Sequence, residues 1–210
     1  MTAILAMPQE ETLMLDIIRD QDGFYALEPF WDTLVDQMAI RSPFVRWDWM
    51  RLWWEECGAG AQLALAVLRD VEGIPQAIAP LMLARENDRA RRHLVTLAFL
   101  GGFGPAHGER LDFIVPAGHE DELTPQLCRV FTLLRDECDL VRLSFLPQES
   151  PNTPHIFAAL EGGVCPRRRF EPNRLPLHHP AVRVGGDRSA SRRQLAQQSA
   201  PQMACVHHGA

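Results

Sequence analysis

His107, Glu109 and Asp112 lie within one short stretch of a 210-residue chain, and no other group of side chains in it is better suited to chemistry. An imidazole and two carboxylates on a loop beside strand ends can bind a substrate amine or remove a proton as general base. The same residues also read as a solvated polar loop in which Asp112 caps or pairs with Arg110, because no third group that would orient a base is visible. Just upstream, Gly101-Gly102-Phe103-Gly104-Pro105 follows a strand-like run. A phosphate cradle needs backbone N–H groups at a helix N-terminus. No helix signal follows these glycines and no Lys-Ser/Thr pair is present, so the segment reads as a tight, permissive loop.

Other chemistries find less support. The five cysteines (57, 128, 138, 165 and 205) are scattered and never spaced as CxxC, which suggests neither a disulfide framework nor structural zinc. Cys128 and Cys138 read as small buried hydrophobes of a helix. The His178-His179 and His207-His208 pairs have no fixed ligand geometry, and no GxSxG or HExxH motif occurs. No metal is expected.

The elements that must position His107, Glu109 and Asp112 follow from periodicity. Phe30, Trp31, Leu34, Val35 and Met38 recur at helical spacing, which predicts a helix over Leu27 to Met38. Ser42-Pro43 is an N-cap and first-turn pair that opens a second helix through Trp47 and Trp54 to Gly58. Four of the five tryptophans lie there; Trp47 and Trp54 share a face and are assigned to the core, leaving Trp49 or Trp53 for an interface or ligand cleft. Gln62 to Arg69 and Gln76 to Ala84 predict an antiparallel hairpin, with Pro80 marking an edge or a bulge. His93 to Leu100, Arg110 to Val115 and Asp139 to Phe145 predict further strands. Glu120 to Cys138 predicts a long helix, and Pro154 to Leu160 a short one. This order makes an α/β chain of α+β type, a mixed sheet flanked by helices.

Charge divides the chain. Residues 1–166 hold 13 Arg against 25 Asp plus Glu, net −12, and residues 167–210 hold 8 Arg against Glu171 and Asp187, net +6, which together give the overall −6. The expected organisation is a lead segment 1–26, a domain 27–166 and a basic, disordered tail 167–210. Two readings of the tail stay open, a natural arm and an out-of-frame translation of a GC-rich gene; the 21 arginines and no lysine of the whole chain read as the mark of GC-rich coding rather than of a binding surface. An acidic body and a tail with little interleaved aromatic content argue against a nucleic-acid partner. The longest apolar runs fall short of a membrane span, and the reduced-cysteine pattern suggests a cytoplasmic protein.

Phe30-Trp31-Asp32-Thr33-Leu34, Ser42-Pro43-Phe44, the Trp47 to Trp54 helix, Ala77-Ile78-Ala79-Pro80-Leu81, Leu97-Ala98-Phe99-Leu100-Gly101, Arg110-Leu111-Asp112-Phe113 and Leu143-Ser144-Phe145-Leu146-Pro147 together resemble one family. It is the GNAT-like acyltransferase family that includes the CelD proteins of cellulose or exopolysaccharide biosynthesis and is related to the FemAB peptidyltransferases. The resemblance spans residues 27–166 and implies the N-terminal part of an N-acyltransferase with a GNAT-like mixed sheet. It also implies acetyl-CoA or another acyl-CoA as co-substrate, and a small-molecule, glycan or amine acceptor. Asp112, with His107 and Glu109 behind it, is then expected to line the substrate cleft. The family's acyl-CoA pyrophosphate loop, Arg/Gln-x-x-Gly-x-Gly/Ala, has no match in this chain, so a non-catalytic fragment or binding module is the alternative. If residues 27–166 are one half of a tandem unit, Trp49 or Trp53 and the strand 139–145 are expected to expose apolar surface, with self-association through the open sheet edge.

Overall fold

The computed structural model describes residues 13–87, 93–103 and 106–162. The expected tail 167–210 lies outside these residues. Their elements, in chain order, are β1 (Met14–Ile18), α1 (Gln21–Tyr25), α2 (Glu28–Gln37), a 3-10 turn (Pro43–Val45), α3 (Trp47–Cys57), β2 (Gln62–Leu63), β3 (Leu65–Arg69), β4 (Pro75–Ala79), β5 (Leu81–Asn87), β6 (His93–Phe99), α4 (Glu120–Leu127), α5 (Arg129–Leu133), β7 (Leu140–Arg142) and α6 (Asn152–Glu161). Helices and mixed sheet make this an α+β chain, as the patterning indicates.

The hairpin runs through two hydrogen-bonded sheets, β1-β3-β4 and β2-β5-β6-β7. Gln62↔Leu83 and Leu63↔Met82 in β2–β5 keep the register of Ala66↔Ala79 and Val67↔Ile78 in β3–β4, so β2 with β3 and β4 with β5 are two long antiparallel arms interrupted at Ala64 and Pro80. β1 pairs antiparallel with β3 on one side, β6 antiparallel with β5 on the other, and β7 lies parallel to β6. The parallel pair requires a crossover, which α4 and α5 supply.

Pro80 decides where the outer strand leaves the sheet. Leu100 N–H donates to the Pro80 carbonyl at 2.8 Å, but proline has no N–H to return to Leu100. There the outer strand departs. Leu81 to Ile78 is three residues, while their partners Phe99 and Ile114 lie fifteen apart. The described residues 100–103 and 106–111 are therefore an excursion, after which the chain meets β4 through paired bonds between Ile78 and Ile114 (2.9 and 2.8 Å). The strand expected over Arg110 to Val115 reduces to this single bridge, because Arg110 has left-handed backbone (φ 55°) that no strand accommodates.

Three further expectations change. The lead segment expected before residue 27 supplies β1 and α1, with Ile18 and Phe24 in the core, so the domain boundary at 27 does not hold. Its alternation, with Met14 and Asp16 exposed, is only five residues long, and pairing with β3 rather than local pattern makes it a strand. The helix expected from Ser42 onward is two pieces, since Arg46 is extended (ψ 150°). Asp32 Oδ1 then accepts the Trp47 N–H at 3.0 Å and caps α3 from α2. The helix expected over Glu120 to Cys138 breaks at Cys128 and ends at Leu133, with Phe131 N–H bonding only three residues back (3.1 Å). Its apolar stripe of Leu123, Leu127, Val130, Phe131 and Leu134 is nonetheless buried.

On α3 the core takes Trp47, Met50 and Trp53, while Trp54 is half-buried, which reverses the expected roles of Trp53 and Trp54. Trp53 is drawn inward by a hydrogen bond described below. β7 stands at a sheet edge, yet Leu140, Val141 and Leu143 are buried, so the apolar exposure expected of that strand is not found. Among the described residues no helix is long and apolar enough to cross a membrane.

Candidate functional site

The carboxyl ends of β6 and β7 carry two loops, 100–111 and 143–150, that meet. In sheets with parallel strands and flanking helices, ligands bind in the crevice beyond the carboxyl ends of the strands. The two non-glycine residues with left-handed backbone among those described are Arg110 (φ 55°) and Phe145 (φ 66°), one in each loop. Such conformations persist only where the surroundings over-determine them, and they cluster at functional sites.

The surroundings here are explicit. Gly108 N–H closes the excursion on the Gly101 carbonyl (2.9 Å), and Leu111 N–H joins it to the Phe145 carbonyl across the gap (3.1 Å). From α3, the Trp53 indole N–H donates to the Ala106 carbonyl at 2.5 Å, while the Trp49 ring lies against Gly101 and Gly108. Phe44 meets Trp49 edge-on with centroids 5.3 Å apart. Ser42 Oγ donates to the Glu109 carbonyl at 3.1 Å. Trp49 and Trp53, one or the other of which is expected at an interface or a ligand cleft, both face the excursion and hold it. Four tryptophans on one helix told nothing of this, because their partner is fifty residues away and consists of backbone and glycines.

His107 is exposed, and its ring lies flat on Phe145, with centroids 4.4 Å apart and an interplanar angle of 9°. The stack fixes the plane of an imidazole at the rim of the two loops. Histidine is the side chain whose ordinary proton equilibrium lies nearest neutrality, so a positioned imidazole at such a rim can accept or deliver a proton. Glu109 is exposed beside it. Arg110 pairs with Glu149 at 2.7 Å across the loops, and Glu149 is held below the usual carboxylate range by its own backbone N–H and by Arg110.

Asp112 is elsewhere. It is 3% exposed, with its carboxylate turned inward to the Ser150 hydroxyl, the Phe113 N–H (2.7 Å) and the Asn152 side-chain amide (3.2 Å). Burial pushes its carboxyl up to about 6, against these three hydrogen bonds that favour the anion, and the nearby Glu120 adds to the rise. The expectation that Asp112 lines a cleft with His107 and Glu109 is therefore corrected. Odd and even positions of an extended chain face opposite ways, so Glu109 and Asp112 part at the turn made by Arg110. Nor does Asp112 pair with Arg110, whose partner is Glu149. The residues that sequence alone missed are Phe145, Glu149, Ser150 and Asn152. Ser150-Pro151-Asn152 ahead of a helix is a capping signature, but the carboxylate it serves is distant in sequence.

Among the described residues no group of three or more His, Cys, Asp or Glu side chains is placed to hold a metal. Cys128 is buried, and burial pushes its thiol up to about 12, which leaves it inert as a nucleophile. No family model, curated protein or solved structure matches the chain.

Proposed function

We propose that the chain is an N-acyltransferase-type protein of the GNAT-like class, acting in the cytoplasm on a small-molecule or glycan amine with acetyl-CoA or another acyl-CoA as co-substrate. The observation that carries this reading is the parallel β6–β7 pair, reached by a crossover through α4 and α5, with a tightly held excursion and a stacked imidazole at its carboxyl ends. Acyl transfer by direct attack asks the protein to juxtapose two substrates and to take one proton from the attacking ammonium. The new C–N bond forms as the C–S bond breaks, and the thiolate leaves to be protonated. His107 is the group to receive the ammonium proton, and Glu109 the anion to attract the amine. A link to cellulose or exopolysaccharide synthesis follows from the family resemblance, and self-association through the outer edge of β7 belongs to the same reading.

The second reading is a binding module without transfer activity. It is favoured by the withdrawal of Asp112 from the loops' surface, which takes one carboxylate of the predicted set out of reach of a substrate. Isothermal titration with acetyl-CoA separates the two. Binding tighter than about 100 μM, or roughly 5.5 kcal/mol, supports the transferase. Absence of heat across several temperatures, with the protein folded, supports the module.

A further inference from the structure

Asp112 joins the two loops from beneath. Arg110, two residues before it, ends the excursion, and Ser150, whose hydroxyl meets Asp112 Oδ2, ends the loop after β7. Asn152 bonds Asp112 Oδ1 (3.2 Å) and the Phe113 carbonyl (3.0 Å) through its Nδ2, while its Oδ1 accepts the Thr124 hydroxyl of α4 at 2.6 Å. Asn152 N–H closes the ring on Ser150 Oγ (3.1 Å). Every polar group of this cluster is buried. Above it runs the Leu111–Phe145 bond, the direct tie between the loops. We infer that Asp112, Ser150 and Asn152 form a latch that ties residues 106–111 to the 143–150 loop, and that, because closure buries the Asp112 carboxyl, a proton on it tightens the latch.

The sense of the coupling follows from where the charge would rest. With the latch open, water reaches Asp112 and its carboxyl has its ordinary value near 3.8; closed, the carboxyl is dry and stands at about 6. A proton therefore favours the closed form. The charge facing Asp112 is Glu120 on α4, also buried, whose Oε2 accepts the Gly118 N–H at 2.6 Å and which acts in the same direction. Around the rim, Arg110 is engaged by Glu149, and on α6 His155 by Asp121 at 3.0 Å. Between pH 7.5 and pH 5 these values shift the closed-to-open ratio about tenfold toward closed. The tie stands on the hydrogen-bond geometry, and the sense of the coupling on the burial of Asp112, which outweighs the three bonds that favour its anion; neither depends on acyl transfer.

Amide hydrogen exchange of the intact chain tests it. The Leu111 and Gly108 amides should exchange faster than the Leu97 amide of β6, reporting local opening. Their protection factors, corrected for the intrinsic pH dependence of exchange, should rise about tenfold from pH 7.5 to pH 5. Asp112→Asn, an uncharged isostere, should remove that dependence. Ser150→Ala, which deletes a hydroxyl that favours the anion, should move the midpoint to higher pH. Leu111 protection equal to that of Leu97 would mean that the loops open only by global unfolding, and would overturn the latch. A tenfold rise that survives in Asp112→Asn, or a midpoint unmoved in Ser150→Ala, would place the proton elsewhere and overturn it equally.

Discussion

The Trp49 indole occupies the space where Gly101 would carry a side chain. Gly101 also has φ 79°, so two independent constraints, one steric and one conformational, act at one residue. Gly108 meets the same ring, where a Cβ would sit 2.8 Å from Trp49 and 2.9 Å from Phe44. A helix and a loop are thereby packed with no side chain on the loop's face.

Gly101→Ala should consequently destabilise the chain by about 2–5 kcal/mol, combining a left-handed alanine with overpacking. Gly118 offers the comparison, with φ 86° and open space around its missing Cβ, so Gly118→Ala should cost only about 1–2 kcal/mol. Urea unfolding of the two variants measures the difference. In Trp49→Ala the Gly101→Ala substitution should lose most of its excess cost, and a double-mutant cycle without coupling would show that the ring is not what crowds Gly101.

Two other tryptophans make a matched pair. Trp31 and Trp47 are both buried and in contact, with centroids 5.6 Å apart, but the Trp31 indole N–H donates to the Val45 carbonyl at 2.8 Å while that of Trp47 has no partner. An orphaned donor costs about 1–3 kcal/mol. Trp31→Phe should therefore destabilise more than Trp47→Phe by about that amount, although both remove the same volume. Equal shifts in urea midpoint would indicate that the Trp47 N–H is solvated in solution.

Truncation should rank the tryptophans of α3 differently. Trp47→Ala should cost about 3–5 kcal/mol, and Trp54→Ala distinctly less because that ring is half-buried. Trp53→Phe removes the bond to the Ala106 carbonyl and should raise exchange at Gly108 more than in β6. Uniform exchange across both regions would assign Trp53 to the core alone.

These contrasts mark what was legible in the sequence. The α2 stripe, the hairpin and the apolar face of α4–α5 were readable because each is a local periodicity that burial then exploits. Pro80 was readable as a disruption, though the sequence could not show that its missing N–H faces the outer strand and opens a loop there. β1 was not readable, since its partner β3 lies some fifty residues away and its own alternation is short. At the site, His107 and Glu109 were found by residue type. Asp112 was found for the wrong reason, because a carboxylate facing inward to Ser150 and Asn152 has the same local sequence as one facing solvent.

Asp112 also makes a global prediction. Its folded value, about 6, lies above the ordinary 3.8, so the stability linked to its protonation is fully present below about pH 3.8 and is lost as pH rises through 6. Across that whole window the loss is about 3 kcal/mol, and between pH 4.5 and pH 7.5 about 2 kcal/mol. Other carboxylates that are paired in the fold, such as Glu149 with its lowered value, act in the opposite sense and lose stability as pH falls. The net curve of the wild type is therefore not diagnostic, and the comparison with Asp112→Asn is. That variant keeps the other carboxylates and removes one titration, so its advantage over wild type should grow by about 2 kcal/mol from pH 4.5 to pH 7.5 in urea unfolding. Parallel curves for the two proteins would show that Asp112 titrates near its ordinary value, and that the hydrogen bonds from Ser150, Phe113 and Asn152 fully compensate its burial.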